Sequence, residues 1–161
     1  MVTKRMLVTI PMEAKGMSLE GYEQLKLEKQ LCFPLYAAAK ELVRKYKPYL
    51  DELNLTYTQY ITMMVLWEHQ SMNVKELGSR LYLDSGTLTP LLKKLEAKGY
   101  ITRCRCKEDE RNLIICITEE GEALKEKAAN IPSEMAEKWL NLSKEEIQVT
   151  YHALYRLLSQ V

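Results

Sequence analysis

Cys32 stands two residues before Pro34. Proline disfavours helix at the residue before it and is at home in a first helical turn, so this spacing puts Cys32 near a helix N-terminus. There the helix dipole and unbonded N–H groups favour a thiolate. A thiolate can attack a peroxide oxygen, become a sulfenic acid and then condense with a second thiol. The plainer alternative is a buried, apolar thiol packed in a core. A second set of residues is small and polar: Asp84, Ser85, Gly86, Thr87 and Thr89, followed by Lys93, Lys94 and Lys98. Short hydroxyls enter a groove without filling it, and the lysines behind them can meet base edges and phosphates. A third set, Cys104, Cys106 and Cys116, falls within one short stretch, where three thiols could bind a metal or form a disulfide. A strand Cys-x-Cys lacks the loop spacing of structural zinc, and only His69 and His152 could supplement it. Incidental cysteines are the default there, and neither a metal site nor a cofactor is expected.

These side chains need elements to aim them. Gly21 to Leu31 has spaced apolar residues and is expected to be helical. A major helix should start near Pro34 and run to about Tyr46, with Lys47-Pro48 near its end. Thr56 or Thr58 caps a second helix reaching about His69, and Ser71 to Asn73 turns the chain. Val74 to Leu81 is a short third helix, interrupted at Leu83, and Asp84 or Ser85 caps the polar-nosed helix that Gly99 ends. Two alternating runs, Tyr100 to Cys106 and Leu113 to Thr118, read as strands joined by the charged tip Lys107-Glu108-Asp109-Glu110-Arg111-Asn112. Short helix, tight turn, polar-nosed helix is the helix-turn-helix pattern, and the basic hairpin after it reads as a wing. That combination implies a chain that binds DNA. Glu119 to Leu140 is expected to be a long helix, broken or bent near Pro132. Ser143-x-x-Glu146 is a capping box opening a last helix on which Ile147, Tyr151, Leu154 and Leu158 share a face.

The overall charge of +1 does not suggest nucleic acid, but its distribution does. Nine basic residues face six acidic ones between Asn73 and Ile115, whereas four lysines face eight glutamates between Thr118 and Glu146. A basic segment beside an acidic one keeps a phosphate-facing field local. With 161 residues and 47% hydrophobic residues the chain suits one domain or a core with appended helices. No apolar run approaches the roughly 18 residues of a membrane span, and no signal peptide is visible, so no membrane association is expected. Four cysteines in a chain this long do not resemble a secreted disulfide framework, which points to reduced thiols and a cytoplasmic protein. The extra helices at both ends suggest a dimer whose paired readers match a two-fold operator.

The order of elements resembles the MarR family of winged helix-turn-helix repressors, from about Leu27 to the C-terminus. The resemblance is closest to the organic-hydroperoxide-resistance repressors and to staphylococcal redox regulators of the same branch. It rests on Leu31-Cys32-Phe33, Tyr36, Tyr46, Leu55-Thr56-Tyr57, Leu66-Trp67-Glu68, the run Leu81 to Leu92 and Asp109-Glu110-Arg111. It implies a mainly α fold with a small β wing and dimerisation helices at both ends. The implied division is a flexible tail at 1–17, N-terminal dimerisation and sensor helices at 18–55, the DNA-binding region at 56–118, and C-terminal dimerisation helices at 119–161. By the same resemblance, the helix carrying Asp84, Ser85, Gly86, Thr87 and Thr89 lies in the major groove. Lys93, Lys94 and Arg103 support that contact, Arg111 enters the minor groove and Asp109 braces the wing. Arginine suits a narrow, electronegative minor groove. Cys32 becomes the redox sensor, with Tyr46 and Tyr57 hydrogen-bonding its sulfur across the dimer and Tyr36 beside them. Two-cysteine members carry a resolving cysteine after the wing, and this chain has none beyond Cys116. That favours a one-cysteine mode in which a small thiol forms a mixed disulfide or overoxidation follows.

The resemblance therefore implies a homodimer on a pseudo-palindromic double-stranded operator, released by oxidation of Cys32. The main alternative is a MarR-type repressor released by a small phenolic or anionic ligand. An enzyme using Cys32 as a thiol peroxidase is a third reading. Two isolated histidines, no Gly-rich phosphate loop and no nucleophile–base pair at recognisable spacing argue against it.

Overall fold

The computed structural model describes residues 21–105 and 113–160. The expected N-terminal tail, and the wing tip with Cys106, Asp109 and Arg111, lie outside the described residues. The chain divides into two units, Met1–Ala39 and Lys40–Val161.

In the first unit, two 3-10 turns at Glu23–Leu25 and Leu27–Lys29 replace the continuous helix expected over Gly21 to Leu31. Lys26 and Gln30 adopt extended backbone and interrupt any helix. None of this segment's apolar residues is buried, so nothing offsets the entropic cost of nucleating a longer helix. Helix α1 (Cys32–Glu52) then begins two residues earlier than expected. Pro34 occupies its third position, where an N–H would have no intrahelical partner to lose.

In the second unit α1 continues through Pro48, which expectation had placed near the helix end. Pro48 cannot bond the Arg44 carbonyl, yet burial of Leu50, and of Leu53 and Leu55 beyond the helix, secures the segment on either side of the turn. The helix stops in a Schellman motif: Leu55 N–H donates to Leu50 O at 2.9 Å and Asn54 N–H to Asp51 O at 3.0 Å, with Asn54 left-handed at φ +53°. Thr56 and Gln59 form a reciprocal capping box that opens α2 (Tyr57–His69). The expected turn at Ser71–Asn73 is instead a strand, β1, and Asn73 also caps α3 (Val74–Leu81).

Between α3 and α4 (Ser85–Ala97) the chain turns sharply. Leu83 N–H donates to Gly78 O at 2.9 Å, and Tyr82 sits left-handed at φ +54°. A Cβ on Gly78 would lie 2.9 Å from the Leu83 carbonyl oxygen, so the close approach of the two helices requires glycine. Helix α4 ends in a second Schellman motif at Gly99, φ +77°, and leads directly to β2 (Ile101–Arg105). Strand β3 (Leu113–Ile117) pairs antiparallel with both others, giving the order β1-β3-β2.

Thr118 caps α5 (Glu119–Ala128), and α6 (Ile131–Trp139) follows. The helical stretch expected from Glu119 to Leu140, broken or bent near Pro132, is broken: it parts at Ala129-Asn130, with Pro132 in the first turn of α6. The capping box of Ser143 and Glu146 opens α7 (Lys144–Leu158). One core holds the DNA-reading half together: Met63 and Leu66 of α2, Leu77 of α3, Leu88, Leu92 and Leu95 of α4, Ile101 of β2 and Ile115 of β3 are all almost fully buried. Apolar side chains recur on one face of each helix and on alternate strand residues, which is why these elements close on one another. Among the described residues no helix is long and apolar enough to cross a membrane.

Candidate nucleic-acid interface and thiol site

Helix α4 presents its first turn outward. Asp84 caps it: Thr87 N–H donates to Oδ1 and the Thr87 hydroxyl to Oδ2, each at 2.9 Å. The Thr87 backbone N–H, then its hydroxyl, hold the Asp84 carboxyl below the usual carboxylate range. Thr89 donates its hydroxyl to Ser85 O at 2.7 Å. Both threonine hydroxyl protons are therefore taken up by acceptors of the helix's own first turn. Ser85, Gly86, Thr87, Thr89, Lys93 and Lys94 are all exposed, whereas Leu88, Leu91, Leu92 and Leu95 on the opposite side are buried. Six of the residues expected to read DNA thus lie on the open side of a firmly seated helix.

Arg103 stands differently. It belongs to β2, and its guanidinium is paired with Glu96 of α4, through Nε at 2.7 Å and through Nη2. This ion pair is partly shielded, and the Arg103 side chain holds the Glu96 carboxyl below its ordinary range. The arrangement fastens the wing to the helix it follows. Lys98, at the C-terminal end of the same helix, donates to Asn54 O and, at 3.1 Å, to Gln59 Oε1. Burial, with the charge of Lys94 second, pushes the Lys98 ammonium below its ordinary value. Gln59 Oε1 also accepts from Thr56 N–H, so one oxygen ties the start of α2 to the end of α4. Sequence reading left this link out because the partners are 44 and 39 residues apart.

Tyr46 and Tyr57 come together, with ring centroids 5.1 Å apart in an edge-to-face arrangement. Tyr60 joins them 5.9 Å from Tyr46 and was missed by sequence reading. Its position three residues after Tyr57 on one helix was the available signal. Burial raises all three phenols, and Tyr60 is pushed up to about 12 by burial and by its two neighbours. They stay neutral near pH 7 and so remain hydrogen-bond donors. Cys32 and Tyr36 belong to the first unit, where Cys32 is the first residue of α1 and is exposed with a free thiol. Tyr36 lies one turn along on the same face of that helix.

On the wing, Cys104 and Cys116 are free thiols at diagonal positions of β2 and β3, Cys104 opposite Ile114 and Cys116 opposite Thr102. Among the described residues no three histidine, cysteine or acidic side chains are grouped so as to hold a metal. Cys106 lies outside them.

A helix-turn-helix followed by an antiparallel hairpin on which a third short strand closes is the architecture of winged helix-turn-helix transcriptional regulators. Residues 44–128 match the family described as transcriptional regulator SarA/Rot. The organic hydroperoxide resistance transcriptional regulator of Bacillus subtilis (strain 168) is 51% identical over 140 residues, covering 85% of this chain and 92% of that protein. The HTH-type transcriptional regulator SarZ of Staphylococcus aureus (strain USA300) is 46% identical over 138 residues, 86% of this chain and 93% of that one. AbfR of Staphylococcus epidermidis, reduced and bound to DNA, has the same fold at a TM-score of 0.72 and 32% identity, over 87% of this chain and 97% of that one. Its overoxidised form bound to DNA gives 0.72 at 31% identity, over 87% and 98% of the two chains, and its disulfide form 0.60 at 31%, over 89% and 97%. The chain belongs to the MarR family of winged helix-turn-helix regulators, in its organic-hydroperoxide-resistance branch.

Proposed function

We propose that two copies of this chain hold a pseudo-palindromic operator in duplex DNA and repress transcription until an organic hydroperoxide oxidises Cys32. The observation that carries this reading is the identity with the Bacillus subtilis regulator over most of the chain, in a protein whose Cys32 is exposed at a helix start. The protein acts on DNA in the cytoplasm, and as a regulator it turns nothing over.

In this reading Ser85, Gly86, Thr87 and Thr89 meet base edges in the major groove. The two threonines act as acceptors and methyl contacts, because their hydroxyl protons are already spent. Lys93 and Lys94 reach phosphates. Arg111 enters the minor groove with Asp109 bracing the wing tip. Arg103 and Asp84 support the reader rather than touch bases, since one is committed to Glu96 and the other to Thr87. Regions 18–55 and 119–161 supply the dimer interface, where the shared face of α7 finds its cover.

The chemistry runs through sulfur. The Cys32 thiolate attacks the terminal peroxide oxygen, the O–O bond breaks, and an alcohol leaves once protonated. The sulfenic acid then condenses with a small thiol, losing water and leaving a mixed disulfide. Across the dimer, Tyr46 and Tyr57 donate hydrogen bonds to the reacting sulfur, with Tyr36 beside them, and Tyr60 keeps the first two in place. AbfR is bound to DNA in its overoxidised form, which favours the bulkier mixed disulfide over added oxygens as the releasing species here. The adduct shifts a two-state balance toward a dimer whose readers no longer match the operator spacing.

The test is a fluorescence-anisotropy titration of operator DNA at fixed salt, with cumene hydroperoxide and a small thiol added together or singly. Release that needs peroxide and tracks the loss of one thiol per chain supports the proposal. Release without thiol loss, by a phenolic or anionic ligand, would replace it with the ligand-responsive reading.

A further inference from the structure

Cys104 and Cys116 take no part in the mechanism above. In the antiparallel register Thr102 faces Cys116 and Cys104 faces Ile114, so the two cysteines are diagonal neighbours on one face of the sheet. Ile101 and Ile115 alternate with them and are buried, which leaves the cysteine face turned away from the core. Neither thiol is in a disulfide. Cys104 is exposed and Cys116 only half so. Burial, followed by the neighbouring Cys104 thiol, pushes the Cys116 thiol up. An oxidant therefore meets Cys104 first and finds a protonated thiol waiting beside it.

We propose that Cys104 and Cys116 are a second thiol-oxidation site, closing under organic hydroperoxide into a reversible disulfide within the wing of one chain. The proposal takes its oxidant from the function proposed above but needs neither Cys32 nor a dimer. Cys104 sulfur attacks the peroxide, the O–O bond breaks, an alcohol leaves and Cys104 becomes a sulfenic acid. Cys116 sulfur then attacks Cys104 sulfur, and its proton leaves with the hydroxyl as water. Two thiols lose two electrons and the peroxide gains them. Diagonal strand neighbours hold their Cα atoms about 7–8 Å apart. Disulfides prefer roughly 4.4–6.8 Å, so the strands must draw together. A bond made under that strain is easily reduced, which makes it a switch rather than a staple. The pull falls on Cys104, whose chain neighbour Arg103 fastens β2 to Glu96 of the reader. Closing the bond disturbs that fastening and weakens operator binding.

The Cys32→Ser, Cys106→Ser double variant keeps only these two of the four cysteines. Treat it with cumene hydroperoxide without added thiol, then measure intact mass, alkylatable thiols and unreduced peptides. The expected result is the loss of two hydrogens, no alkylatable thiol, and one linked peptide pair joining Cys104 to Cys116 within a single chain. Dithiothreitol should restore both thiols, and operator affinity at fixed salt should fall on oxidation and recover on reduction. Free thiols after treatment, oxygens added without a link, or a link between chains would each overturn the site. A linked protein with undiminished operator affinity would overturn its coupling to the reader. A failed Cys32 mechanism would not affect any of these readings, because Cys32 is absent throughout.

Discussion

Helices α4 and α7 are both amphipathic and both well capped, yet they are completed in different ways. The inner face of α4 puts Leu88, Leu91, Leu92 and Leu95 into the core, and its ends are tied by Asp84, Glu96 and Lys98. Helix α7 buries no residue: Tyr151 is 58% exposed and Ile147, Leu154 and Leu158 are all exposed beside it. An isolated helix of 15 residues is marginal in water, so α7 needs a surface to lie on. The contrast teaches that the reading half is finished within one chain, while α7 leaves uncovered an apolar face, the one proposed above to lie against a second copy. A switch can then act on the spacing of two rigid readers without unfolding either.

The comparison breaks most visibly at α7. Leu154→Glu should convert the dimer to a monomer by sedimentation and drop operator binding toward the non-specific level, a loss on the order of a thousandfold. Its circular dichroism should keep the helical signal of α2 to α5. A variant that stays dimeric would remove α7 from the interface. At α4 the expected damage is to folding instead. Leu88→Ala opens a cavity beside Leu77 and Gly78 and should cost about 2–5 kcal/mol in urea unfolding, with dimerisation of the folded fraction intact.

The smallest effect concerns the Asp84 cap. Its carboxyl is held below the ordinary 3.8 in the folded chain. A lowered folded value means the stabilisation is complete above 3.8 and is lost as the pH falls below it. Asp84→Asn can still cap through its amide oxygen but cannot titrate. Thermal unfolding followed across that acid range should therefore show a shallower pH dependence for the variant, and equal slopes would deny the cap its electrostatic part.

Much of this was legible because it is local. Thr56, Asp84 and Ser143 each announce a helix start by accepting the N–H three residues on, and α3 begins and ends where the apolar spacing places it. What stayed hidden depends on partners distant in sequence. Ser71–Asn73 became a strand only because β3 offers it hydrogen bonds from Ile114 to Cys116. Trp67 Nε1 donates to Gly121 O at 2.9 Å, 54 residues away, where a Cβ on Gly121 would strike the Tyr100 carbonyl. Arg103 read as a DNA contact because a basic residue in a wing has that use, and nothing in its neighbourhood announced Glu96. Pro48 read as a helix end, since the packing that carries α1 past it lies at Leu50, Leu53 and Leu55. Tyr60 went unremarked in the sequence, because its role shows only where its ring meets Tyr46 and Trp67.

The central claim is that oxidation at Cys32 releases the operator. It is tested most directly by pairing intact-mass spectrometry with operator anisotropy on the parent and Cys32→Ser proteins, each exposed to cumene hydroperoxide with a small thiol. The account predicts that the parent gains one small-thiol adduct at Cys32 and loses its operator, and that Cys32→Ser retains most of its affinity under the same treatment. Release of Cys32→Ser as complete as that of the parent would contradict it.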